Sequence, residues 1–213
     1  MTRPRSIRGD HLRTALAQEA ARIMAEQGIA DYGFAKRKAA ERLGAGEFAV
    51  LPKNTEIDAA LAQYQRLFEG DKHTATLTEQ RQTACAVMTL LQTFNPRLTG
   101  TVLTGSATRY QPLELHCFSD SIEPIIFLLL EQRIAYKVSE HRIRFQTDQY
   151  TPIPVLQFEF NGFAVEVLVF TSQGIRQAPL SPLDGRPQHR ATLAEVQLLV
   201  QNSDEESLSL DAP

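Results

Sequence analysis

The sequence predicts an α+β fold, a helical N-terminal region followed by an α/β domain built on a mixed sheet. Three observations predict it. Apolar residues recur at helical spacing through the first ninety-odd positions, as in Leu12, Leu16, Ala20, Ile23 and Met24. From Leu98 onward the pattern turns to short β-rich segments, with Val165, Val167 and Val169 alternating along the last of them. Asn161–Gly162 joins two such segments and is a strong signal for a tight hairpin.

In chain order, a first helix is expected over 10–26, stopped by Gly28, and a second over 32–43, stopped by Gly44. Thr55 is a suitable cap for a third helix carrying Ile57, Leu61, Tyr64 and Phe68 on one face. A fourth, over 76–93, carries Leu77, Ala84, Val87, Met88 and Leu91, with Pro96 just beyond. Strands are expected at 98–103 and 113–118, separated by a glycine-rich turn, and then a helix capped by Ser121 that runs to Glu131. Further strands follow at 135–138, 142–145, 155–160 and 164–170. Pro179, Pro182 and Pro187 mark an extended loop before a short helix at 191–200. The expected division is a helical region at 1–95, the α/β domain at 96–201 and a disordered acidic tail at 202–213, which holds Asp204, Glu205, Glu206 and Asp211 and no basic residue.

Composition narrows the function. The 213 residues carry 43% hydrophobic side chains and a net charge of −3, which argues against a surface that coats nucleic acid without selection. The apolar run IIFLLL is far too short to span a bilayer, and the basic N-terminus lacks the apolar stretch of an export signal. Cys85 and Cys117 read as free thiols. A cytoplasmic protein without membrane contact is expected. Phosphate-binding P-loop, GxSxG, HExxH and Rossmann patterns are missing from the sequence.

The stretch GTVLTGSATRYQPLELH, residues 100–116, concentrates the chemistry. Small residues let backbone N–H groups approach a triphosphate, and a neighbouring hydroxyl can donate to a phosphate oxygen. Carboxylates on a following strand can hold a divalent metal that neutralises charge during nucleotidyl transfer. The arrangement resembles the nucleotidyltransferase superfamily related to DNA polymerase beta, whose pattern is Gly-Ser, ten residues, Asp-x-Asp and a third carboxylate on a later strand. Gly100–Thr101 stands at the Gly-Ser position, Val102 to Gln111 supply the ten residues, and Pro112–Leu113–Glu114 follow. Glu166, after the Asn161–Gly162 turn, matches the third carboxylate, with Glu159 as the other candidate. More loosely, the segments AKRKAAERLG (35–44) and RQAPLSPLDGRP (176–187) resemble those of a group of bacterial nucleotidyltransferase-like proteins.

The resemblance implies transfer of NMP from an NTP to an acceptor, RNA or protein among the candidates, with Mg²⁺ or Mn²⁺ as cofactor. It implies Glu114 and Glu166 as metal ligands, and nucleotide contacts from Gly100, Thr101, Gly105, Ser106 and Arg109. Proline at 112 replaces the first metal-binding aspartate and cannot ligate. Strand periodicity puts His116 on the face of Glu114, where it could complete a metal shell or act as a base. The bland readings are a hairpin turn that binds nothing, Glu114 paired with Arg109 or Arg144, and a cleft-lining His116. Three functions follow: a transferase, a catalytically silent module of the same fold that binds nucleotide, RNA or protein, and a helical interaction protein with the sheet as scaffold. Oligomeric state is not legible.

Overall fold

The computed structural model describes residues 7–29, 31–46, 50–68, 70–146 and 149–210. The chain divides into two compact units, residues 1–73 and 74–213.

The first unit is helical. α1 (Ile7–Gln27), α2 (Tyr32–Arg42) and α3 (Asn54–Phe68) enclose a core of Leu16, Ala20, Ile23, Met24, Ala35, Ala39, Ile57 and Leu61. The apolar stripe read from the sequence is the stripe that is buried. Alanine at 20, 21, 35 and 39 lets α1 and α2 approach closely. Asp31 caps α2 by accepting from the Phe34 amide, and Arg13 pairs with Glu56 of α3 at 2.7 Å.

The second unit opens at Thr74, within α4 (Gly70–Leu90), ahead of the boundary at 95 that the sequence suggests. The reason is packing: Ala84, Val87, Met88 and Leu91 belong to the core under the sheet, not to the helical core before it. The sheet has the order β1 (Arg97–Thr99), β2 (Leu113–Phe118), β5 (Phe163–Phe170), β4 (Gln149–Phe160), β3 (Tyr136–Gln146). β2 and β5 run parallel and the other pairs antiparallel, so the sheet is mixed and the fold is α+β. α6 (Glu123–Glu131) packs Ile125 and Leu129 into the same core.

Several local readings change. The segment 98–103 is strand only to Thr99; α5 (Gly100–Thr104) then begins directly. α6 is capped by Ile122 rather than Ser121, with no side-chain cap bond. The two strands expected at 135–138 and 142–145 form the single strand β3. Pro152 and Pro154 are tolerated in β4 because that half pairs only with β3; pairing with β5 starts at Val155. Asn161 and Gly162 both have positive φ, 49° and 78°, as the expected two-residue hairpin requires. α7 (Leu193–Leu210) continues through most of the segment expected to be a disordered tail. Neither Gly nor Pro interrupts residues 193–210, and Thr192 with Glu195 caps its start through reciprocal bonds. Residues 211–213 lie outside the described residues.

Strand alternation gives the sheet two different faces. Leu113, Leu115, Cys117, Val165, Val167 and Val169 face the helices. The opposite face carries Glu114, His116 and Phe118 on β2, Glu166, Leu168 and Phe170 on β5, and Gln157 on β4. The polar residues of the sequence motif therefore fall on the face away from the main core.

Candidate functional site at the β2–β5 strand pair

β2 positions the first carboxylate and β5 the second. Glu114 and Glu166 are direct register partners on these parallel strands, so both side chains leave the same face of the sheet. Glu159 is exposed on β4, one strand further from β2, and pairs with Ala164. Glu166 is therefore the residue that adjoins Glu114.

Gly100 lies on the other side of Glu114. Its φ is +71°, a conformation only glycine adopts cheaply. A Cβ there would sit 3.6 Å from the Glu114 Cβ and 3.7 Å from its Oε2. Glycine therefore lets the backbone pass close beside the carboxylate. Thr101 follows within α5, and its carbonyl accepts from the Gly105 and Ser106 amides at 2.8 and 3.1 Å.

The other carboxylate oxygen of Glu114 is held. Oε1 accepts from the Thr99 hydroxyl at 2.6 Å and from Gln188 Nε2 at 2.7 Å, and His116 Nε2 stands 3.6 Å away. Glu166 Oε1 accepts from Gln157 Nε2 at 2.8 Å. Neither Arg109 nor Arg144 is a partner of Glu114; the bonds come from β1 and from the loop before α7. Burial is the largest influence on the Glu114 carboxyl and pushes its pKa up. The contacts from His116, Thr99 and Gln188 together outweigh it, and the carboxyl titrates below its ordinary value. The His116 separation of 3.6 Å exceeds a hydrogen bond, so the bonds that fix the carboxylate's orientation are those from Thr99 and Gln188.

His116 is fully buried, with Phe170 at 4.6 Å between ring centroids. Its Nδ1 accepts from Arg190 Nε at 2.9 Å. A neutral imidazole has one acceptor nitrogen, so the hydrogen-bond network assigns the proton to Nε2, which faces Glu114. Burial is the main cause that lowers the His116 pKa, with the Arg190 charge acting in the same direction against Glu114. This corrects the expectation of a ligand or base. With Nδ1 occupied and Nε2 protonated, His116 has no lone pair for a metal or a substrate proton, and its Nε2, 3.6 Å from Glu114 Oε1, is buried without a hydrogen-bond partner among the described residues.

Arg190 is itself fixed. Nη1 donates to the Gly174 and Gln177 carbonyls, and the guanidinium lies 5.0 Å from the ring centres of both Phe118 and Phe170. Burial pushes its pKa down to about 10. The adjoining Ala191 exchanges two backbone bonds with Leu98 at 2.9 Å, which anchors the loop to β1.

The remaining expected nucleotide contacts are not gathered at the carboxylates. Gly105 and Ser106 stand at the far end of α5 from Gly100, where Gly105 neighbours Arg81 and Leu77 of α4. Ser106 is buried and its hydroxyl shares a bond with Thr104 at 3.2 Å. Arg109 is exposed on the following loop. Sequence reasoning missed Thr99, Gln157, Gln188 and Arg190. Only Thr99 carried a signal, since it precedes Gly100 and lands opposite Glu114 once β1 and β2 pair.

Mg²⁺ is commonly held by one or two carboxylates, with phosphate and water completing its shell. Two carboxylates on register-paired residues, each with Oε1 engaged by a neutral donor and with Glu114 Oε2 beside the Gly100 backbone, meet the carboxylate part of that requirement. Among the described residues no group of three or more His, Cys, Asp or Glu side chains is gathered for a metal. Also among the described residues, no helix is long and apolar enough to cross a membrane. Compared with protein-family models, curated proteins and solved structures, the chain matches none.

Proposed function

We propose that this chain is a nucleotidyltransferase-fold protein that binds an NTP with Mg²⁺ or Mn²⁺ and transfers NMP to an acceptor hydroxyl. One observation carries the reading: Glu114 and Glu166 are register neighbours on one face, with the Glu114 carboxylate lying over Gly100. Glu114 and Glu166 would hold the ion, which when bound neutralises charge on the phosphates. Gly100 brings its backbone close to Glu114 Oε2, and a phosphate there would meet the Thr101 hydroxyl, one residue further along the chain. Thr99 and Gln188 hold Glu114 Oε1 in place, and Gln157 holds Glu166 Oε1 in the same way.

A second reading is nucleotide binding without transfer. The half-buried Pro112 favours it, because it stands where the pattern has its first aspartate and brings no oxygen side chain to the site. Labelled NTPs incubated with Mg²⁺ or Mn²⁺ and RNA or protein acceptors test transfer, and equilibrium binding of the same NTPs tests the site. Metal-dependent binding that is lost in Glu114→Ala and Glu166→Ala supports the proposal. Transfer gained only in Pro112→Asp selects the silent form. NTP binding that ignores both the metal and the two glutamates would refute it.

A further inference from the structure

We infer that Gln188 is a positioning residue of the carboxylate pair, delivered by the loop between β5 and α7. The inference rests on the proposed metal role of Glu114. The loop crosses the polar face of the sheet and is tied down at several places. Leu180 donates to the Arg144 carbonyl at 2.7 Å, Gln188 donates its backbone N–H to the Pro179 carbonyl at 2.7 Å, and Ala191 exchanges bonds with Leu98. Arg190 locks the same stretch through the Gly174 and Gln177 carbonyls, His116 Nδ1 and the two phenylalanine rings. A glutamine between such anchors is presented in one place, and there its Nε2 meets Glu114 Oε1 at 2.7 Å.

The consequence is directional. Thr99 and Gln188 both bind Oε1, while Oε2 is the oxygen beside the Gly100 backbone. Neutral amide and hydroxyl donors hold a carboxylate in orientation without competing with a cation for its charge, as an ammonium or guanidinium would. Partners of this kind around metal ligands typically contribute about 10- to 100-fold to metal affinity. Arg190 bonds His116 rather than Glu114, and His116 Nε2 stands 3.6 Å from Glu114 Oε1. The proline-rich loop thereby supplies an essential part of the site from a distant stretch of chain.

The test compares Mn²⁺ binding by the full-length protein and by Gln188→Met, which keeps the length of the side chain and removes its donor. The electron paramagnetic resonance signal of free Mn²⁺ gives the affinity, with and without ATP. ¹⁵N spectra of the metal-free proteins give the His116 tautomer, and thermal melting verifies folding. The inference expects Gln188→Met to bind Mn²⁺ about 10- to 100-fold more weakly, with His116 still protonated at Nε2. Gln188→Asn, one methylene short of Glu114, is expected to weaken binding in the same sense. Equal or tighter binding by either folded variant overturns the positioning role and leaves the proposed function standing. If the wild-type protein binds no Mn²⁺, both fall together.

Discussion

Gln188 donates its side-chain amide to Glu114 across 74 residues of chain, at 2.7 Å. That bond joins the proline-rich loop to the strand that carries the sequence motif. Glu114 is consequently not a surface carboxylate with a chance partner. It is held on one oxygen by β1 and the loop, and its other oxygen lies over a glycine.

Gly100→Ala is expected to cost about 1–2 kcal/mol of stability, because an L-residue must adopt φ of +71° there. The new methyl group would also fill the space beside Glu114 Oε2. Urea denaturation measures the first effect, and NTP binding by the folded fraction measures the second. An unchanged midpoint would show that the backbone relaxes at no cost.

Arg190→Met removes the donor to a buried His116 nitrogen and the charge between two aromatic rings. Leaving a buried acceptor unsatisfied costs about 1–3 kcal/mol. Chemical denaturation checks the loss, and the ¹⁵N shifts of His116 should move because Nδ1 no longer accepts. Arg190→Lys is expected to recover only part of it, since an ammonium lacks the planar fork that reaches both the carbonyls and the ring nitrogen.

The two thiols should differ in reactivity. Cys117 is buried on β2 and burial pushes its thiol well above the ordinary range, while Cys85 on α4 is half-buried with a smaller shift in the same direction. Thiolate is the reactive form. A disulfide-exchange reagent should therefore spare Cys117 in the native protein and modify both thiols in denaturant. Rapid native modification of Cys117 would contradict the packing of β2 against the helices.

Much of the fold was legible because the sequence carried it locally. The buried stripe of α1, the valines of β5 and the Asn161–Gly162 turn each announce themselves within a few residues. The failures share another cause. Val102 and Leu103 read as strand because they are apolar and β-prone, yet a five-residue helix has too few positions to show a period. The end of α4 was placed with the helices before it, although its apolar face belongs to the sheet, a decision made by tertiary contact alone. At the site, Glu114 and Glu166 were readable from spacing and strand order. Gln188 and Arg190 were not, because their partners lie 74 residues away and the loop between them shows no periodicity.

Acid should weaken the helical unit. The Glu19 carboxyl is held below its ordinary value chiefly by Arg22, and that of Glu56 chiefly by the Lys53 backbone N–H with help from Arg13. A depressed folded pKa means that the stabilisation is complete above the unfolded-state value and is lost as the pH falls through the folded one. The unit should therefore lose stability as pH drops below about 4, followed by circular dichroism at increasing urea. Glu56→Gln should flatten that dependence. An unchanged slope would show that these contacts do not outlast solvent screening.

The most direct measurement is equilibrium binding of ATP, with and without Mn²⁺, to the wild-type protein, Glu114→Gln and Glu166→Gln. Mn²⁺ is expected to strengthen ATP binding by the wild-type protein, and each substitution alone to remove that strengthening while the protein stays folded. Metal-enhanced binding that persists in both variants would contradict it, as would ATP binding by the wild-type protein that is indifferent to Mn²⁺.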